Sequence, residues 1–227
     1  MPLSFVLVEP TRPANVGAAA RAIKTMGFDQ LILVNSTLHL EKEAHWLAHG
    51  ATDILDNVKV VSSVEALRDN FDQLIATTAR ERGTPRQFLT PESLQETLVN
   101  QAGSVNRIAL LFGRESSGLT NSELAICDLY SYVPLHADYP SLNLAQAVMV
   151  YSYALSQVNN RLRSISTKAE DGQLQALKSR TRNMLMQINS NEDPKLAQWL
   201  LDGMSLLGDR DCKMAHQLLN DISKKLD

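Results

Sequence analysis

The stretch Ile108-Ala-Leu-Leu-Phe-Gly-Arg-Glu-Ser-Ser-Gly-Leu119 decides the fold. It begins as an uninterrupted apolar run of strand length, 108–112. A strand that is apolar on both faces belongs inside a sheet covered on both sides, as parallel α/β sheets are. The run breaks at once into Gly113-Arg114-Glu115, then Gly118. A polar, glycine-containing loop at the carboxyl end of a buried strand is where α/β proteins place ligands. Glycine lets backbone approach a ligand closely or take a positive φ. Arg114 and Glu115 bring both signs of charge to that mouth.

Working outward, 3–8 reads as a first buried strand, followed by the punctuation of Pro10 and Pro13. The spacing predicts a helix over 17–26, capped by Asn15 and stopped by Gly27, with Ala18-Ala-Ala20 as a slim face for close packing. A strand over 31–34 completes a β-α-β unit, which implies parallel strands and a right-handed crossover. Further strands are predicted over 58–61, 74–78 and 129–133, with helices over 41–49, 64–70, 91–98 and 121–126 and a long one over 143–163. Three polar loops therefore follow three apolar strands: Thr77-Thr78-Ala79, 113–118 and 135–143. In a parallel sheet all three open on one edge. From pattern alone they read equally as ligand loops and as ordinary strand-to-helix turns.

Beyond residue 163 the composition changes. A polar stretch over 164–172 reads as a linker. Apolar residues then recur at helical spacing, as in Leu174, Leu177, Thr181, Leu185 and Ile188, and predict two or three amphipathic helices without a strand. The organisation is an α/β unit over 1–163 and a helical C-terminal extension over 164–227. The 227 residues suffice for one large α/β domain or a domain with a small extension, and 44% hydrophobic with 21% charged is ordinary globular composition.

Several chemistries are disfavoured. No apolar run approaches the ~20 residues of a membrane helix. The start lacks a basic region, and its apolar run is too short for a signal peptide. Cys127 and Cys212 have no C-x-x-C partner, so neither a disulfide nor a zinc framework is expected, and a reducing cytoplasm fits. Asn15-x-Gly17-x-x-x-Arg21 lacks the second glycine of a dinucleotide fingerprint, and no G-x-x-x-x-G-K-[ST] loop occurs. His45 and His49 lie four apart, but Trp46-Leu47-Ala48 between them lacks a metalloprotease glutamate, so no metal is expected. No G-x-S-x-G elbow supports a serine nucleophile. A net charge of −3 excludes a uniformly basic nucleic-acid coat but leaves room for a local basic patch.

Three motifs, in order, carry a resemblance: Asn15-Val-Gly-Ala-Ala-Ala-Arg21, Leu111-Phe-Gly-Arg-Glu-Ser-Ser-Gly-Leu119, and Ser141-Leu-Asn-Leu-Ala145. Together they resemble the SPOUT superfamily of RNA methyltransferases, specifically the SpoU/TrmH-type 2'-O-methyltransferases and within them the TrmJ/LasT-like branch. The resemblance covers about residues 1–160. Leu144-Ala-Gln-Ala-Val-Met-Val150 departs from the valine- and serine-rich helix start of many SpoU members and fits the TrmJ-like branch.

The resemblance implies a parallel sheet flanked by helices whose C-terminal part forms a trefoil knot, a topology that general rules would reject. It implies S-adenosyl-L-methionine as cofactor, held by loops that fall here on Thr77, Thr78, Ala79, Gly113, Leu135, Ser141, Leu142 and Asn143. It also implies an obligate homodimer with sites built from both subunits, and the small-residue faces of helices 17–26 and 143–163 are the interface candidates. The implied reaction is methyl transfer to a ribose 2'-hydroxyl of RNA, with tRNA as the nearest substrate class. Ribosomal RNA, a silent RNA-binding module and a non-nucleic-acid methyltransferase are the alternatives.

The family gives the residue at Arg21 a central role, often as base. A guanidinium stays protonated at ordinary pH, so phosphate binding and stabilisation of developing alkoxide charge suit Arg21 better. Asn15 is expected to orient Arg21 or the ribose, and Glu115 to pair with Arg21 or Arg114. Arg114 is expected to face RNA, with Arg12, Arg80, Arg82 and Arg86 forming a basic rim and Tyr139 a stacking aromatic.

Overall fold

The computed structural model describes residues 3–79, 87–136, 141–165, 172–188 and 194–226. The predicted β-α-β start is present as β1 (Leu3–Val8), α1 (Pro13–Thr25) and β2 (Gln30–Val34). Helix α1 starts earlier than Asn15 implied. Arg12 is its N-cap and Pro13 its first helical residue, a position where the missing proline N–H costs nothing. Asn15 is therefore inside the first turn, and its side chain is free for a tertiary role.

After β2 the chain forms α2 (Lys42–Ala48), α3 (Thr52–Asp56) and β3 (Lys59–Val61). A 3₁₀ turn at Glu65–Asn70 replaces the predicted helix. Then come β4 (Gln73–Thr78), a two-residue strand β5 (Phe88–Leu89) that sequence reasoning missed, α4 (Pro91–Asn100) and β6 (Ile108–Phe112). The predicted bounds of β6 hold. Helix α5 (Asn121–Ala125), β7 (Leu129–Tyr132) and the long α6 (Leu144–Ile165) follow.

The strands form one sheet in the order β3-β2-β1-β6-β4-β7-β5. Every described pairing is parallel. The carboxyl ends of β1, β6, β4 and β7 therefore lie side by side, which is what brings the loops together. Side chains alternate between two cores. Phe5, Leu7, Leu110 and Phe112 face α1, α4 and α6. Val6, Val8, Ala109 and Leu111 face Leu67, Leu119 and Leu124 on the other side. Phe5 stacks on Phe112 at 6.2 Å between ring centroids.

Alanines and one glycine set how closely α1 packs. Ala19, Ala20 and Ala22 are buried within the chain. A Cβ built on Gly17 would lie 2.0 Å from the carbonyl oxygen of Ala44 in α2. This corrects the expectation that the small-residue face of α1 is a free subunit interface: α2 and the α/β core already cover it.

Three further helices follow among the described residues: α7 (Gln173–Gln187), α8 (Pro194–Met204) and α9 (Asp209–Leu226). They share a small core of Leu177, Met184, Met204, Cys212 and Leu219. A buried polar network joins them to the amino edge of the sheet, opposite the carboxyl-end loops. Lys178 donates to Asp128, just before β7, at 2.6 Å, and Arg68 donates to the other oxygen of that carboxylate at 2.7 Å. The carboxylate of Asp209 accepts from Gly103 N–H and Ser104 Oγ. Burial alone would raise the Asp128 pKa, but Lys178 and Arg68 outweigh it and hold the carboxyl below its ordinary range.

Candidate functional site

Four elements end around one open cleft of about 1590 Å³. Its lining includes Thr77, Thr78 and Ala79 after β4, Gly113 after β6, Leu135 after β7, and Ser141, Leu142 and Asn143 before α6. Thr11, Arg12 and Asn15 of the α1 start line it too. The structure thus brings these eight loop residues, named from sequence, to one place. Thr77 Oγ1 donates to the Leu111 carbonyl at 2.8 Å, tying two of the loops together at their roots. Tyr151 of α6, which sequence reasoning missed, closes the floor. Its hydroxyl donates to Ser131 at 2.9 Å, and its ring meets Phe112 edge-on at 5.6 Å.

The loop after β6 is a tight closed turn. Arg114 N donates to Gly118 O at 3.2 Å, and Gly118 N to Arg114 O at 2.8 Å. Gly118 takes φ +70°, the left-handed region that suits glycine. A Cβ on Gly113 would sit 2.2 Å from the Gly118 backbone. Both glycines of the motif are thus demanded by the turn itself.

The turn presents Glu115 to the amino end of α1. Glu115 accepts from Thr11 N–H at 3.0 Å and from Asn15 Nδ2 at 3.0 Å. The site suits a carboxylate, because the amino end of a helix carries partial positive charge. Burial would raise the Glu115 pKa, but the hydrogen bonds from Asn15 and Thr11 prevail and hold it below the usual carboxylate range. Asn15 Oδ1 in turn accepts from Asn143 Nδ2 at 3.1 Å. Asn143 uses its own Oδ1 to accept from Ala145 N–H, and so caps α6. Three sequence motifs meet in this one hydrogen-bonded chain.

This geometry corrects one expectation. Glu115 pairs with neither Arg21 nor Arg114, since its oxygens are taken by Thr11 and Asn15. Arg114, which also lines the cleft, has its guanidinium engaged by two carboxylates of its own chain. Its fork grips Glu123 with both terminal nitrogens at 3.0 Å, and its Nε donates to Glu9 at 2.8 Å. The two carboxylates push the Arg114 pKa upward, with Glu123 the stronger. Glu9 takes φ +44°, uncommon for a non-glycine residue, at the point where β1 gives way to the loop. One cue was readable in sequence: Thr120-Asn-Ser-Glu123 spells a capping box, and the structure forms it.

Arg12 is exposed at the rim. Arg21 is exposed on α1, does not line the cleft, and makes no side-chain hydrogen bond or ion pair among the described residues. Arg80, Arg82, Arg86 and Tyr139 lie outside the described residues. Among the described residues no group of three or more His, Cys, Asp or Glu side chains is arranged to hold a metal, and no helix is long and apolar enough to cross a membrane.

Comparison with known proteins agrees with this arrangement. Residues 2–153 match the SpoU rRNA Methylase family, and residues 171–226 match the C-terminal domain of the tRNA/rRNA methyltransferase LasT. An Escherichia coli K12 relative, described as an uncharacterized tRNA/rRNA methyltransferase LasT, is 45% identical over 226 residues, covering 100% of this chain and 99% of its own. The tRNA (cytidine/uridine/adenosine-2'-O-)-methyltransferase TrmJ of Pseudomonas aeruginosa is 40% identical over 151 residues, 66% of this chain and 59% of its own. Among solved structures, a probable methylase family protein from Haemophilus influenzae superposes with a TM-score of 0.67 at 30% identity, covering 99% of this chain and 97% of that one. TrmJ from Z. mobilis gives 0.63 at 26% identity over 98% of this chain and 99% of that one. With its cleft, its three converging motifs and these matches over nearly its whole length, the chain belongs to the SpoU methylase family and carries a LasT-type C-terminal domain behind the methylase unit.

Proposed function

We propose that the chain is an S-adenosyl-L-methionine-dependent methyltransferase acting on a ribose 2'-hydroxyl of RNA, with tRNA as substrate. The observation that carries the reading is the convergence of Asn15, Glu115 and Asn143 on the cleft formed by the strand-end loops. The TrmJ relatives, named as tRNA 2'-O-methyltransferases, support the substrate class. In this reading 1–163 is the catalytic unit and 164–227 its helical extension.

The cleft suits the cofactor. It offers apolar surface at Val133, Leu135 and Leu142, and Leu135 is 38% exposed to solvent. Small residues at Thr77, Thr78, Ala79, Gly113 and Ser141 let a nucleoside reach backbone groups. The volume exceeds the usual ~300–1,000 Å³ of a small-molecule site, leaving room for a nucleotide beside a cofactor. The bound cofactor supplies an electrophilic methyl group on a sulfonium.

The chain's own residues position the acceptor. Glu115 and Asn143 hold Asn15 at the mouth, where its amide orients a ribose. Arg12, exposed at the rim, attracts phosphate. Arg21 binds the phosphate next to the target ribose and stabilises negative charge growing on its 2'-oxygen. With the cofactor bound, the hydroxyl proton would pass to that phosphate or to water as the C–O bond formed and the methyl–sulfur bond broke, the neutral thioether leaving. Because Arg21 lies outside its own chain's cleft, it serves the site of a second copy, in a homodimer. The exposed Met149 and Tyr153 of α6 supply apolar surface for that contact. Arg80, Arg82 and Arg86, which follow Ala79 in sequence, extend the basic rim. The order of the sheet, with β6 between β1 and β4 and α6 returning from β7 to Asn15, suits a chain threaded into a trefoil knot. Free thiols at Cys127 and Cys212 suit a reducing cytoplasm.

Calorimetry with S-adenosyl-L-methionine, beside transfer of its labelled methyl to tRNA, tests the assignment. One cofactor per chain is expected, with binding weakened at least tenfold by Leu135→Asp. Arg21→Ala is expected to keep cofactor binding and to lose roughly 100-fold in transfer. Wild-type transfer by Arg21→Ala would remove Arg21 from the site, and a chain that binds no cofactor would overturn the whole reading.

A further inference from the structure

Helix α9 has two apolar seams, and among the described residues only one is covered. Cys212 and Leu219 face the core shared with α7 and α8. At 100° per residue, Met214, Leu218 and Ile222 fall on an adjoining stripe, spaced i, i+4, i+8. They are 61%, 59% and 36% exposed. Single exposed apolar residues are ordinary, but three in register along one helix mark an interaction surface.

The stripe is symmetric about its centre. Met214 and Ile222 lie four residues either side of Leu218, and Asp211 and Lys225 lie seven either side. Asp211 and Lys225 fall on the same face, both are exposed, and neither has an ion-pair partner among the described residues. On this face α9 thus carries Asp211 near its amino end and Lys225 near its carboxyl end, while Asp209 is held by Gly103 and Ser104.

We propose that α9 pairs antiparallel with α9 of a second copy of this chain, about a two-fold axis passing beside Leu218. Met214 then meets Ile222 of the partner subunit, Leu218 meets Leu218 of the partner subunit, and Asp211 meets Lys225 of the partner subunit. A two-fold contact requires such self-complementarity, because each residue must face its mirror position in the seam. Charge selects the direction. Antiparallel pairing sets Asp211 against Lys225 and opposes the helix dipoles, whereas parallel pairing sets each of these charges against its own kind. The seam is on the extension, away from Arg21 and the cleft, so it stands or falls independently of the methyl-transfer reading.

Cysteine cross-linking of the full chain tests the geometry. A side chain beside a two-fold axis meets its own copy, so Leu218→Cys is expected to form a disulfide-linked dimer under mild oxidation. Lys213→Cys, exposed on another face of α9, is the control, and the native Cys127 and Cys212 are buried. Asp211→Lys or Lys225→Asp alone, each in the Leu218→Cys background, is expected to lower the yield, and the two together to restore it. In sedimentation, Leu218→Lys is expected to raise the dissociation constant of one association step at least tenfold. Equal linkage of Leu218→Cys and Lys213→Cys would overturn the proposal. So would a Leu218→Lys variant that associates like wild type, which would assign the stripe to a different partner such as RNA.

Discussion

Asn143 donates its side-chain amide to the side-chain oxygen of Asn15 at 3.1 Å, joining residues 128 positions apart. Asn15 passes the interaction to Glu115 at 3.0 Å. Asn15 is 7% exposed, so neither of its bonds is readily replaced by water. Truncating it to alanine leaves the Glu115 carboxylate short of a donor and Asn143 short of an acceptor. Asn15→Ala is expected to lower the turnover number by roughly 10- to 100-fold, the scale of losing one positioned polar group. Circular dichroism should remain that of the wild type. Steady-state methyl transfer with both substrates varied checks this, since a purely structural role would not separate turnover from folding.

Arg114 holds the loop through Glu9 and Glu123. Its side chain is 19% exposed and that of Glu123 is 11% exposed. Arg114→Lys keeps the charge and loses the two-pronged bond to Glu123, at an expected cost of about 1.5–3 kcal/mol of folding stability. Denaturant unfolding measures that loss. The salt dependence of RNA binding is expected to stay unchanged, whereas a lost phosphate contact would lower its slope by about 1.

The same bond predicts an acid limb. Burial would raise the Glu123 pKa, but Arg114 and the Thr120 N–H outweigh it and hold it below the ordinary range. Glu115 and Asp128 are likewise lowered. A carboxyl lowered in the folded state binds fewer protons there than in the unfolded chain. Its stabilisation is therefore complete above the ordinary carboxylate range and is lost as the pH falls through its lowered value. Unfolding free energy measured against pH should be flat near neutrality and fall steeply in acid, with a shallower fall in Glu123→Gln.

Gly17→Ala should destabilise, although glycine to alanine inside a helix is ordinarily favourable by about 1 kcal/mol. The added methyl would lie 2.0 Å from a backbone carbonyl of α2, which has no rotamer to escape into. Helices α1 and α2 must part, at an expected cost of about 1–3 kcal/mol, visible as a lower melting temperature.

The extension is expected to come loose when Lys178 is replaced. Lys178 is 2% exposed and donates to Asp128 and Ser205. Removing one partner of a buried pair costs roughly 3–5 kcal/mol. In Lys178→Ala, limited proteolysis should cut between the catalytic unit and the extension faster than in the wild type, while cofactor binding at the far edge of the sheet persists.

What sequence revealed follows from range. Strand β6 is apolar on both faces and ends in glycine, so local pattern fixes its bounds. The convergence of Thr77, Gly113 and Leu135 follows from one inference, that the strands are parallel. The start of α1 was misplaced because Asn15 looked like a cap. Its side chain instead bonds Glu115, 100 residues away, and no local pattern carries that contact. The Arg114 grip on Glu9 and Glu123 was hidden for the same reason: β1 and β6 must be neighbours before Glu9 and Arg114 can meet. Strand β5 is too short for any period, and Lys178 looks like an ordinary surface lysine on an amphipathic helix until the sheet edge buries it.

The most direct test of the central claim is where the methyl group lands. Alkaline hydrolysis of tRNA labelled by the purified chain cuts beside every free 2'-hydroxyl and spares a methylated one. The account predicts label in an alkali-stable dinucleotide from one tRNA class, lost with Arg21→Ala. Label recovered in a mononucleotide carrying a methylated base would contradict it.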